Sequence, residues 1–150
     1  MSPYYFYKLI RQVIQHLRKE GLSICSYVDE FLLADTPHDI DLSKSKLIFT
    51  LHRLGFFIKY DKSQLNPEFQ AKFIGYIIET TKEKGAIWLF IPKDRIAKTK
   101  KDIRRIVKNK TVPAKILARI AGQIVSMCKV LVPAKLLLRN VYRLLKTKCS

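Results

Sequence analysis

Ile24-Cys25-Ser26-Tyr27-Val28-Asp29-Glu30-Phe31-Leu32-Leu33-Ala34 is the stretch on which the reading of this chain turns. Short, mainly apolar runs from Leu22 to Ser26 and from Phe31 to Ala34 suit strands and are too short for helices, and Asp29-Glu30 stands between them. The pattern predicts a hairpin that holds carboxylates at its tip. Carboxylates between buried strands carry a desolvation cost, which a divalent metal bearing a phosphate would offset. A solvated turn is the other reading of the same residues, because Asp is common in turns. The flanks have to decide.

Upstream, Ser2-Pro3 places a capping hydroxyl and a first-turn proline at a helix start. Phe6, Leu9, Ile10, Val13, Ile14 and Leu17 then recur at three and four, so a helix is expected to about Lys19, with Gly21 as its stop and His16 partly buried beside the stripe. Downstream, Asp39 and Asp41 suit a helix first turn, and Ile40, Leu47, Ile48, Leu51 and Leu54 form its stripe up to Gly55. Phe56 to Tyr60 reads as a strand, Asp61-Lys62-Ser63 as a turn, and Gln64 to Asn66 as a short strand closed by Pro67. Phe69 to Glu79 and Ala86 to Ile91 read as a hairpin over a loop from Thr80 to Gly85. Helix, hairpin, helix and strands in this order make an α+β fold with an antiparallel sheet.

Beyond Pro92 the pattern is helical and strongly basic. Residues 1–92 hold 12 Lys/Arg and 10 Asp/Glu, whereas residues 93–150 hold 17 Lys/Arg against Asp94 and Asp102, so the balance is +2 in the first part and +15 in the second. So one-sided a surface needs a polyanion, with a nucleic-acid backbone as the first candidate and an anionic membrane as the second. The expected helices run from residue 94 to 108 (apolar face Ile96, Ile103, Ile106, Val107), from Val112 to Val130 (Ile116, Leu117, Ile120, Ala121, Ile124, Val125), and from Pro133 to Lys146. Val112-Pro113-Ala114-Lys115 and Val132-Pro133-Ala134-Lys135 mark two similar helix starts.

No apolar run approaches the roughly 18 residues of a membrane span, and the polar, tyrosine-rich start is unlike a secretory signal, so an intracellular location in cytoplasm or nucleus is expected. Cys25, Cys128 and Cys149 are odd in number, far apart and without metal-site spacing. No disulfide is expected, and Cys25 and Cys128 are expected in the core.

Four features stand in order: Ser2-Pro3-Tyr4-Tyr5-Phe6 opening a helix, Tyr27-Val28-Asp29-Glu30, Leu54-Gly55-Phe56 followed by Lys62-Ser63, and Phe73-Ile74-Gly75-Tyr76. This succession resembles the second half of a reverse transcriptase palm, with its Ser-Pro-x-x-Phe helix, Tyr-x-Asp-Asp hairpin, lysine segment and Phe-x-Gly primer grip. The basic helices resemble the thumb, and the whole run is most similar to reverse transcriptases of DIRS-type retrotransposons, which pair the polymerase with a tyrosine recombinase.

The resemblance implies a partial palm over residues 1–92, including the primer-grip hairpin, and an all-helical basic thumb over residues 93–150. It implies that Asp29 and Glu30 are catalytic, metal-binding carboxylates for Mg2+ or Mn2+, that Tyr27 and Val28 lie against the primer terminus, and that Lys62 approaches the incoming triphosphate. Phe73, Gly75 and Tyr76, with Trp88, would hold the primer backbone. Lys100, Lys101, Arg104, Arg105 and Lys108 would meet the RNA/DNA hybrid or primer-template. These residue types suit the chemistry, since in-line phosphoryl transfer uses two metals about 3.5–4 Å apart and a cation near the leaving phosphates. Lys62 also reads as a solvated surface lysine, and Phe73, Tyr76 and Trp88 as core aromatics.

The sequence departs from the pattern at Glu30, where the family has a second aspartate. One extra methylene moves a carboxylate by roughly an ångström, which can cost on the order of a hundredfold in rate. The metal-bridging aspartate, the fingers and the Pro-Gln-Gly segment would precede the Ser-Pro helix, so the other half of the polymerase is an expected partner. A non-catalytic, sequence-independent RNA/DNA-binding remnant is the competing expectation. A membrane-surface protein is a third, disfavoured because the apolar stripes lack bulky aromatic anchors, and no membrane partner is expected.

Overall fold

Ile10, Val13, Ile14 and Leu17 share one side of a helix by their spacing. In the structure, a computed structural model that describes residues 3–81, 86–108 and 111–147, they are buried on α1 (Pro3–Lys19). Leu9 lies off the stripe and is exposed, while Phe6 sits at its edge, edge-to-face on Phe56 with ring centroids 6.2 Å apart. The expected capping hydroxyl of Ser2 lies outside the described residues, as do Cys149 and most of the loop before β5. At the other end Gly21 takes φ +92°, and the Gly21 and Leu22 N–H groups donate back to Arg18 O and Leu17 O. That left-handed residue is what turns the chain, and glycine adopts it without a Cβ penalty.

β1 (Ile24–Tyr27) and β2 (Glu30–Leu33) follow as an antiparallel pair in register Ile24↔Leu33 to Tyr27↔Glu30. Arg18 reaches from α1 to the Ile24 carbonyl, donating from Nε at 3.0 Å and Nη2 at 2.7 Å. Leu22, Ile24 and Leu51 of α2 (Ile40–Arg53) complete the buried cluster, with Phe31, Leu33, Leu47, Phe56 and Ile58 packed around it. Leu17 is its centre, at 0 % exposure. Leu17→Ala should therefore lower the unfolding free energy by about 2–5 kcal/mol, read from the midpoint of urea denaturation at unchanged slope.

Asp35 fixes the approach to α2, its carboxylate accepting from the buried Ser43 hydroxyl at 2.5 Å and from the Thr36 N–H at 2.8 Å. These two bonds, Ser43 first, hold its carboxyl below the usual range. A depressed pKa stabilises the fold above the unfolded value of about 3.9 and loses that contribution as pH falls through the folded value. Ser43→Ala should move the Asp35 titration back up, as followed by side-chain carboxyl NMR.

Several expected elements differ. Residues 56–59 form no strand: Phe56 and Ile58 pack onto the cluster, Phe57 is 100 % exposed, and a 3₁₀ turn at Tyr60–Lys62 follows. Gln64 to Asn66 is irregular. The single strand expected from Phe69 to Glu79 is two, β3 (Gln70–Phe73) and β4 (Tyr76–Thr80), joined by Ile74-Gly75 and continued by β5 (Ile87–Phe90) in sheet order β3-β4-β5. His16 is exposed and pairs with Glu20 at 3.1 Å. Cys25 is exposed rather than core, because strand alternation that buries Ile24 sends its neighbour to the other face, and Cys128 is only half-buried.

Beyond Pro92 come α3 (Lys93–Val107), α4 (Ala114–Val125), α5 (Ala134–Leu137) and α6 (Arg139–Thr147). Pro113 and Pro133 each stand just before a helix, as the repeated tetrapeptide implies. α4 ends earlier than Val130, in turns after Val125, and the third expected helix is broken at Leu138. Ile120, Ala121, Met127, Ala134 and Leu138 are the buried apolar residues here, and Thr99 of α3 is buried as well. The chain divides into two compact units, Met1–Ile74 with Ile78–Ile87, and Gly75–Ile77 with Trp88–Ser150.

Candidate functional site

The β1–β2 connection consists of Val28 and Asp29 alone. Val28 has φ +54° and Asp29 is not in that region, the pattern of a type II′ turn, where the first position ordinarily takes Gly. A β-branched residue there is a genuine outlier costing about 1–3 kcal/mol, and such strain concentrates at functional turns. Asp29 and Glu30 are both exposed, so of the two readings of the acid pair the structure shows the solvated turn and not carboxylates between buried strands. The register explains it: the hairpin buries Ile24 at its open end and carries its tip into solvent. Tyr27, 56 % exposed, and Val28 flank the acids at that tip.

Glu30 is tied to a distant part of the chain. Its Oε2 accepts the Ile74 N–H at 3.0 Å, forty-four residues further along the chain. Ile74 and Gly75 take φ +51° and +71°, a type I′ pattern, and the isoleucine is strained there by about 1–2 kcal/mol. A hydrogen bond to a charged group contributes about 1.5–3 kcal/mol, enough to offset that strain.

Lys62 ends the 3₁₀ turn and is exposed. The turn is steadied by Tyr60, whose hydroxyl is 2.6 Å from His52 Nε2, with the two rings stacked. Of the expected primer-grip residues, Phe73, Gly75 and Tyr76 are half-buried and Trp88 is 55 % exposed on β5. Tyr76 is engaged within the protein: its hydroxyl donates to the Ser126 carbonyl at 2.5 Å, and the Arg95 guanidinium lies 5.9 Å from its ring centre. Arg95 also donates from Nη1 to Gly75 O at 2.8 Å and from Nη2 to Ser126 Oγ. A Cβ at Gly75 would meet Arg95 Nη1 at 2.6 Å, in a backbone conformation that disfavours any side chain. Gly75→Ala should thus cost about 1–2 kcal/mol in denaturation experiments and displace Arg95 from its carbonyl.

Lys100, Lys101, Arg104, Arg105 and Lys108 are all exposed on or just after α3, at spacings of three and four that gather them on one side. Asp102 on the same helix pairs with Arg119 of α4 at 3.9 Å. A second cationic surface escaped the sequence reading. Lys135, Arg139, Arg143 and Lys146 line an open groove with Tyr142, Leu136 and Val132. Its signal was the four, four, three spacing of those cations, obscured by the break at Leu138.

The Asp29 carboxylate is a hard oxygen donor of the kind Mg2+ and Mn2+ take, so its chemistry fits part of a metal site. Among the described residues no group of three or more His, Cys, Asp or Glu converges to hold an ion, so further ligands would be required.

No family model and no solved structure matches the chain. Among curated proteins it is 36% identical over 83 residues to the Gag-Pol polyprotein of Rous sarcoma virus subgroup C (strain Prague), and 35% identical over 83 residues to that of Avian leukosis virus subgroup A (isolate RSA). Each match covers 53% of this chain and 5% of the polyprotein, so the chain spans a small fraction of the relatives it matches. Over about half of its length, then, this chain is similar to part of a retroviral Gag-Pol polyprotein.

Proposed function

We propose that the chain is a segment of a retroelement reverse transcriptase by its motif order, of the DIRS type by the resemblance of the whole run, comprising part of the palm and a basic helical thumb. The observation that carries this reading is the exposed Tyr27-Val28-Asp29 tip on a strained two-residue turn. The partial similarity to retroviral Gag-Pol polyproteins supports it from a different direction. Asp29 would hold Mg2+ or Mn2+, which when bound activates an attacking hydroxyl and steadies a leaving phosphate. Tyr27 and Val28 supply the surface beside the carboxylate. Lys62, an exposed point charge at the end of the 3₁₀ turn, would offset charge at the departing phosphates. Phe73, Gly75 and Trp88 offer apolar and backbone contacts to the primer strand. The cations of α3 and of the α5–α6 groove hold the primer-template, or an RNA/DNA hybrid, through its phosphates.

A second reading is a non-catalytic binder of RNA and DNA in which the basic segment alone is functional. It is favoured by the exposed cations gathered on α3, which meet phosphates without any metal. Both readings place the chain inside the cell and on nucleic acid. Fluorescence anisotropy with a labelled RNA/DNA hybrid, run against anionic vesicles, tests that shared ground. Tighter, salt-sensitive binding to the hybrid is expected, and tighter binding to vesicles would contradict both.

A further inference from the structure

We infer that Glu30 is a positioning residue that latches the β3–β4 turn to the hairpin, and that the metal-binding role of the tip falls to Asp29 alone. The latch rests on geometry, and only the second clause depends on the metal reading of Asp29 proposed above.

In a two-residue hairpin the first loop residue lies outside the ladder, so the Ile74 N–H has no partner within its own sheet. Glu30 Oε2 provides one at 3.0 Å. β2 and β3 are neighbours in the fold, so the bond joins elements already in contact. Side-chain length is what makes the contact. An aspartate at position 30 would end about 1.5 Å short, one carbon–carbon bond, which turns a 3.0 Å hydrogen bond into a separation of roughly 4.5 Å. Glutamate is therefore no loose substitute for the family's second aspartate. It is the residue that spans the gap, and the expectation that its extra methylene is a defect reverses: Glu30→Asp releases the turn. With Oε2 committed to the Ile74 N–H, Glu30 has only Oε1 left to offer an ion at the tip, whereas Asp29 sits in the turn itself.

Amide exchange on the full chain tests the latch. The Ile74 N–H should exchange about tenfold faster in Glu30→Ala and Glu30→Asp than in the parent, and at an intermediate rate in Glu30→Gln, which keeps a neutral acceptor oxygen. Leu22 and Ala34, whose N–H groups bond to Leu17 O and Ser23 O, serve as internal controls and should not change. Glu30→Gln decides the matter should Glu30→Ala unfold the chain. Titration with Mn2+, read as paramagnetic broadening of the hairpin amides, tests the second clause: broadening should persist in Glu30→Gln and vanish in Asp29→Asn. Ile74 exchange that is indifferent to Glu30 would overturn the latch. Broadening lost in Glu30→Gln would overturn the assignment of the metal to Asp29 alone. If the parent shows no broadening, the metal reading of Asp29 falls, and Ile74 exchange still decides the latch.

Discussion

Replacing Lys100, Lys101, Arg104 and Arg105 together by glutamine is expected to flatten the salt dependence of hybrid-duplex binding by about 3 to 4 log units per log unit of salt. Each phosphate neutralised contributes about 0.9 to that slope on a duplex, and these four side chains stand exposed together on α3. Four such contacts correspond to roughly a hundredfold change in affinity between 50 and 200 mM salt. The helix should survive the change, since glutamine is nearly as good a helix former as lysine or arginine and none of the four is buried. Far-UV circular dichroism checks that point. An unchanged slope would move the contact elsewhere, with the Lys135–Arg139 groove as the next surface to neutralise.

The larger effect is expected at the hairpin. In a chain joined to the upstream palm and fingers of a related polymerase, Asp29→Asn should lower nucleotide incorporation by more than about a hundredfold. Even residues that merely orient metal ligands are worth about 10–100-fold, and this substitution removes a ligand charge while keeping the side-chain shape. Asn at position 29 leaves the two-residue turn its length, and Asn tolerates turns as well as Asp does, so loss of activity would not come from loss of the hairpin. Exchange at Ala34, which bonds to Ser23 O at 3.0 Å, reports whether the strand pair persists. Full activity in Asp29→Asn would remove the hairpin from the metal site.

The elements that could be read from sequence are those whose pattern is local. α1 follows from its apolar spacing and Gly21, and β1 and β2 from two short runs around an acid pair. The parts that could not be read depend on partners distant in sequence. Phe56 to Tyr60 has a strand's composition, yet Phe56 and Ile58 pack onto the core cluster and, among the described residues, no strand pairs with this segment. Ile74-Gly75 is an x-Gly dipeptide between apolar flanks, a hairpin signal masked by the β-branched residue at its first position. What sustains that conformation, a carboxylate from Glu30, lies forty-four residues away. Likewise Tyr76 and Gly75 are legible as a motif, whereas their ties to Arg95 and Ser126 exist only once the helices fold.

At the site, sequence order alone suggested Asp29, Lys62 and the α3 cations, and each of these is exposed in the structure. It left open whether the carboxylates stand in solvent or between buried strands, because register decides which end of a hairpin is packed. Nor could it reveal the use made of Glu30. A one-letter departure from a pattern looks like damage until the atom it reaches is known.

Primer extension bears most directly on the central claim. The full chain is joined to the upstream half of a related polymerase and supplied with a primed RNA template, Mg2+ and nucleotides, beside the same upstream half alone. Template-directed extension only when this chain is present is the predicted result. No extension from a joined protein whose chain segment is folded and binds the hybrid, or equal extension without the segment, would contradict it.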